Sequence, residues 1–258
     1  MTINRKAILI ASALTDDDPI KDGVERDVKK WKSFLMRPMG GCWNEDEIDI
    51  VPNTSSDLLI QHILKLKRVD YVFFVYSGHG SSNRTDDYIY FGLNGCNPIG
   101  ISAIKGFLAQ VSDRGTMIID ACRVTDTYKE STTISPTIPK SSSSLIGEKY
   151  SNWWEDRFRK CQSMGIAIIQ SCLNNQKSFM YYNNYCSVFS HLMSIGLYDD
   201  VGKFELNVGK AFSNAAKHTE KTVKSWNQSR LQQPDCSMQN VDYPFWYNPV
   251  ILAANNLA

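Results

Sequence analysis

Three short stretches of this chain are apolar with almost no interruption: residues 6–12 (KAILIAS), 70–76 (DYVFFVY) and 116–120 (TMIID). A strand with one wet face alternates apolar and polar residues. An unbroken run is what a strand buried on both faces of a parallel sheet requires. Residues 165–170 (GIAIIQ) add another such run, and 48–51 (IDIV) a further strand. Between the runs the apolar spacing becomes helical. Val24, Val28, Trp31 and Leu35 share one face over 23–36, and Leu58, Leu59, Ile63 and Leu66 share another, behind Asn53-Thr54 as N-cap. Helices are also predicted over 102–111, 188–197 and 206–226, and a short hairpin after DYVFFVY, with 88–93 returning through Asn94-Gly95. Strands alternating with helices predict an α/β fold: a mainly parallel sheet with helices on both faces.

Composition removes several classes of function. At 258 residues, 43% hydrophobic and 21% charged, the chain can bury a substantial core. A formal net charge of +1 argues against a dedicated nucleic-acid binder. No apolar run approaches the roughly 18 residues of a membrane span. The start is too soon acidic, at Asp16-Asp17-Asp18, for a signal peptide, so the expectation is a cytoplasmic protein or one whose export is not encoded at this end. The seven cysteines include no CxxC pair, which argues against a disulfide framework and a zinc site. Cys42, Cys161, Cys172 and Cys186 read as small buried hydrophobes. From 124 to about 160 the chain turns polar, with serines, threonines and prolines and no periodicity. That stretch reads as a long mobile loop within one domain spanning 1–258. A tail with Pro234, Pro244 and Pro249 closes the chain.

The chemistry concentrates at two strand ends. In an open α/β sheet, ligands bind at the carboxyl ends of the strands. One core strand finishes in Ser77-Gly78-His79-Gly80, the next in Asp120-Ala121-Cys122-Arg123. On neighbouring strands, His79 and Cys122 would face each other. A thiol becomes a strong nucleophile once an adjacent imidazole accepts its proton, and that imidazole can return the proton to a departing amine. The bare backbone around His79 lets a peptide approach, and the Gly80 and Cys122 amides are candidates for an oxyanion hole. Taken singly, a His or Cys at a strand end is more often a packing residue; the pair on consecutive strands is the informative feature. A nucleotide-binding doubly wound domain would want a glycine-rich loop after the first strand, and residues 11–16 (ASALTD) are not one.

These residues resemble the caspase, metacaspase and paracaspase superfamily. S-G-H-G after an aromatic-rich strand and D-A-C-R after an Ile-rich one match its two catalytic segments, and Cys122 follows His79 by 43 residues against about fifty in caspases. Residues 170–172 (QSC) and 187–192 (SVFSHL) resemble later elements of the family. The resemblance implies a caspase-like fold with about six strands, and a cysteine endopeptidase acting on protein substrates through a His79–Cys122 dyad, with no cofactor. Single-domain members of this kind resemble microbial proteins of regulated cell death or defence, which answer to an upstream activator or partner. Val124 stands where caspases have Gly, and Asp120 where they have the Gln that helps bind a substrate aspartate. Metacaspases and paracaspases carry Asp there, with a second pocket acid that matches Asp27, and they cleave after Arg or Lys. Carboxylates at a pocket floor attract a cation, so the resemblance implies basic P1 specificity. From the pattern alone, Asp27 reads equally as a solvated helix-face residue. A third pocket acid would fall near Asn174 or Asn175 and is missing. The 124–160 loop occupies the place of the caspase intersubunit linker, and Lys129, Lys140, Lys149, Arg157, Arg159 and Lys160 would be self-cleavage points. Asp16-Asp17-Asp18 reads as a solvated loop; Ca²⁺, which activates some metacaspases, is the alternative there. A caspase-like interaction module that does not cleave is the competing class of function.

Overall fold

The computed structural model describes residues 2–51, 55–83, 85–92, 97–124, 148–181, 186–195, 205–238 and 240–247. In chain order, β1 (Arg5–Ser12) leads to α1 (Lys21–Met36), β2 (Ile48–Val51), α2 (Ser56–Lys65) and β3 (Tyr71–Gly78). A small antiparallel sheet follows, made of β4 (Gly80–Ser82), β5 (Asp87–Phe91) and β6 (Asn97–Gly100). Next come α3 (Ile101–Val111), β7 (Arg114–Asp120), α4 (Glu148–Lys160), β8 (Gly165–Gln170) and α5 (Val188–Ile195). The last elements are β9 (Glu205–Asn207), α6 (Val208–Trp226), β10 (Asp235–Cys236) and β11 (Pro244–Tyr247). The main sheet has six strands in the order β10-β8-β7-β3-β1-β2, parallel except for β10.

The apolar runs do what unbroken runs imply. Along β3, Tyr71, Phe73 and Val75 face one layer, while Val72, Phe74 and Tyr76 face the other. The first layer takes Trp31 and Leu35 of α1, Phe189 of α5, and Ala215 and Val223 of α6. The second takes Leu59 and Ile63 of α2, with Ile104 and Leu108 of α3. Fully burying side chains of this size stabilises by about 1.5–3 kcal/mol each, so the central strands anchor the fold.

Two expectations need correction. The polar stretch from 124 to about 160 is not loop throughout, because α4 spans its last third. Its apolar face is Trp154 and Phe158, one helical turn apart with rings stacked at 5.2 Å. Trp154 is buried edge-to-face against Trp43, and the Arg5 guanidinium lies over both rings, 4.6 Å from the Trp154 centre and 4.4 Å from that of Trp43. Two aromatic residues thus anchor a segment that otherwise reads as polar. Lys149, Arg157, Arg159 and Lys160 sit on this helix, the wrong backbone for an extended protease substrate; Lys129 and Lys140 lie outside the described residues. The proline-rich tail is the second correction: β10 pairs with β8, and β11 with β9. Pro244 is tolerated as the first residue of a strand in a two-stranded sheet.

Smaller differences are local. The α2 N-cap is Ser55, whose Oγ accepts from the Leu58 amide at 3.3 Å; Asn53-Thr54 and Asn94-Gly95 lie outside the described residues. Cys161, Cys172 and Cys186 are buried as expected, but Cys42 is only half-buried. No helix among the described residues is long and apolar enough to cross a membrane.

Candidate active site

Parallel pairing aims the ends of β1, β3 and β7 the same way. The register sets Ser12 beside Gly78 and Ser77 beside Asp120, so the SGHG and DACR segments leave the sheet from adjacent strands at one level. A methyl group placed on Gly80 would lie 2.7 Å from both the Ala121 Cβ and the Cys122 carbonyl oxygen. One on Gly78 would lie 2.6 Å from the Ser12 carbonyl oxygen and from the Tyr76 hydroxyl. Both glycines therefore serve close approach, and the ends carrying His79 and Cys122 are pressed together.

His79 is held from an unexpected quarter. Its Nε2 lies 2.7 Å from the Asp18 carboxylate, in the loop between β1 and α1. Asp18 is fastened in turn: the Leu14 amide donates to one oxygen at 2.8 Å and the Ile20 amide to the other at 3.1 Å. Burial opposes ionisation of Asp18, but the His79 ring and these amides outweigh it and hold the carboxyl below its usual range. Cys122 is half-buried, and its thiol donates to the Ser178 carbonyl at 3.8 Å. Burial pushes this thiol up, and the charge on Asp120 adds to the effect, so the resting group is a thiol. Behind it, Arg123 donates to the Asp87 carboxylate at 2.8 Å and to the Cys172 carbonyl at 3.0 Å. Gln170 closes the same clamp on Asp87 at 2.8 Å.

The two candidate pocket acids are brought together. Asp27 is fully buried, which overturns its reading as a solvated helix-face residue. Ser187 joins the pair: its amide donates to Asp27 at 3.1 Å and its hydroxyl to Asp120. Ser77 donates to Asp27 at 2.8 Å. Asp120 also accepts from the Ser178 hydroxyl at 2.7 Å, and from the Ser190 amide and hydroxyl at 3.1 and 2.5 Å. Burial, then the nearby charge of Asp120, pushes the Asp27 carboxyl up to about 8. The sequence reading missed this serine shell and Asp18. The spacing of Ser187 and Ser190, three residues apart at the start of a predicted helix, was the available signal for part of it. Asn174-Asn175 forms a turn in which Asn175 adopts φ +62°, a conformation that Asn tolerates. Among the described residues no group of three or more His, Cys, Asp or Glu is arranged to hold a metal ion.

The family model described as Caspase domain matches residues 4–234. The chain belongs to the caspase-domain family. The family is one of cysteine peptidases that act on proteins. No curated relative matches. Among solved structures, the fold is similar to the crystal structure of caspase-1 from Spodoptera frugiperda, with a TM-score of 0.55 and 12% sequence identity, over 95% of this chain and 90% of that one. At that identity the likeness supports the fold, and the site rests on the residues of this chain.

Proposed function

We propose that this caspase-domain chain is an endopeptidase that cleaves after Arg or Lys, with Cys122 as nucleophile and His79 as base. The observation that carries the reading is the meeting of Asp27 and Asp120 around Ser187, directly beneath the strand end that bears Cys122. Asp120 beside an Asp27 that burial and the Asp120 charge keep protonated presents negative charge that a substrate guanidinium or ammonium would neutralise, and an arriving cation would draw Asp27 towards its ionised form. A substrate aspartate would be repelled there.

In the proposed reaction the Cys122 thiol gives its proton to His79, and the thiolate attacks the scissile carbonyl carbon. The carbonyl oxygen becomes an oxyanion facing the Gly80 and Cys122 amides, a contact of the kind worth about 10²–10³ in rate per donor. The C–N bond breaks as His79 protonates the departing amine, and water then hydrolyses the thioester. Substrate entry requires one rearrangement. Ser178 holds the Cys122 thiol through its carbonyl and Asp120 through its hydroxyl, so it must give way to the P1 side chain. This closed arrangement is also what favours the second reading, an interaction module that does not cleave. On the first reading, an upstream activator would open it, in keeping with a cytoplasmic protease of regulated cell death or defence. The test is covalent capture: a peptidyl acyloxymethyl ketone ending in Arg should label Cys122, located by peptide mapping, and an Asp-ended analogue should not. Equal labelling by both probes would remove the pocket argument, and labelling by neither, even after treatment with candidate activators, would favour the module.

A further inference from the structure

We infer that Asp18 is the third member of this site: a positioning residue that orients His79 and holds its charged form during proton transfer. The inference rests on the proposed Cys122–His79 chemistry. A base at the end of a strand is useful only if its ring presents one nitrogen to the thiol and keeps the proton on the other. Here the Asp18 carboxylate occupies the Nε2 side at 2.7 Å. That assigns the resident proton to Nε2 and leaves exchange with Cys122 to Nδ1. When Nδ1 takes the Cys122 proton, the ring becomes a cation against a buried carboxylate, and the proton then leaves from Nδ1 with the amine. Asp18 remains ionised throughout, as a triad carboxylate does.

The loop is built for this. The Asp18 side chain is only 5% exposed, and amides four residues before and two residues after it clamp both oxygens. Neighbouring Asp16 is 78% exposed and spends its charge on Lys21 at 2.9 Å. Lys177 and Asp120 act electrostatically on the Cys122 thiol, Lys177 favouring its ionised form and Asp120 opposing it. One acid of the Asp16-Asp17-Asp18 cluster is thus singled out by burial and by its partners.

The experiment compares the parent with Asp18→Asn, Asp18→Glu and Asp16→Asn, in two assays. In peptide cleavage, Asp18→Asn is expected to lower kcat by about 10–100-fold with KM within about twofold, less than the roughly 10⁴-fold of the serine counterpart because a thiol ionises more readily. The acidic limb of its pH–rate profile should move to lower pH, since the imidazolium loses its counter-charge. Asp18→Glu should recover part of kcat, and Asp16→Asn should match the parent. The second assay needs no substrate: iodoacetamide alkylation of Cys122 at neutral pH, followed by peptide mapping, should slow severalfold in Asp18→Asn alone. It reads the His79–Cys122 proton balance even if no peptide is cleaved, so a failure of the protease reading and a failure of this one are told apart. An Asp18→Asn variant with parental alkylation, kcat and pH limb, changed only in melting temperature or KM, would reduce Asp18 to a loop residue and overturn the inference.

Discussion

Replacing Asp27 by Asn should make this protein more stable near neutral pH while weakening its hold on basic substrates. Asp27 is fully buried, and its carboxyl is raised to about 8 by burial and by the charge of Asp120. In the unfolded chain an aspartate ionises near about 3.9. Between those values the folded chain binds a proton that the unfolded chain has released, so stability is greatest below about pH 4 and falls as pH rises to about 8. Each unit of displacement is worth about 1.4 kcal/mol, or about 6 kcal/mol over the full range; relaxation around the site trims this to about 2–4 kcal/mol. Asn keeps the volume, can accept from the Ser187 amide and can share a hydrogen bond with Ser77, but it has no charge to bury. Urea titrations of parent and Asp27→Asn from about pH 4 to about pH 8, with ΔG from the midpoint and slope, measure the difference directly. The curves should coincide at the acid end and separate by about 2–4 kcal/mol at the alkaline end, with the variant more stable. Parallel pH dependences would refute the reasoning, because they would mean that Asp27 carries no unrelieved charge. The same variant should raise KM for Arg- and Lys-ended peptides if the proposed pocket is right, because Asn cannot ionise to meet the substrate cation.

Three further outcomes follow from named contacts. Arg123→Ala strands the part-buried Asp87 carboxylate and removes the tie to the Cys172 carbonyl, so urea unfolding should show a loss of about 3–5 kcal/mol, with activity falling alongside. Trp154→Ala removes one of the two rings beneath the Arg5 guanidinium and the hydrogen bond to the Pro244 carbonyl, and should cost about 3–5 kcal/mol by the same assay, with little change in kcat. Ser178→Ala removes a hydroxyl that competes with the substrate cation for Asp120, so KM for Arg-ended peptides should fall severalfold with kcat little changed. An unchanged KM would mean that the Ser178 hydroxyl does not gate the pocket.

The parts of this molecule legible in the sequence are those that local pattern dictates. Unbroken apolar runs specify strands buried on both faces, and β1, β3, β7 and β8 emerged within a residue or two of those runs. The candidate dyad was legible for the same reason, since both members sit at the ends of such strands. What stayed hidden depends on tertiary partners. The helix over Glu148–Lys160 is held by Trp154 and Phe158 packing against a sheet formed elsewhere in the chain, and its local signal is short: that one apolar pair and the Glu155–Arg159 and Asp156–Lys160 ion pairs, all at i,i+4. β10 is two residues long and exists only because β8 offers an edge. Asp18 lies among three consecutive aspartates that are equivalent by sequence. Only the fold shows which of them the Leu14 and Ile20 amides turn inward to His79. Asp27 read from its pattern as a solvated helix-face residue, and its complete burial, which depends on elements distant in sequence, removes that reading.

The central claim is tested most directly by cleavage of short fluorogenic peptides ending in Arg, Lys or Asp by the full chain, beside Cys122→Ala and Asp120→Ala. The account predicts release after Arg or Lys, no release by Cys122→Ala, and a raised KM in Asp120→Ala. Cleavage after Asp would contradict the pocket, and undiminished cleavage by Cys122→Ala would contradict the mechanism itself.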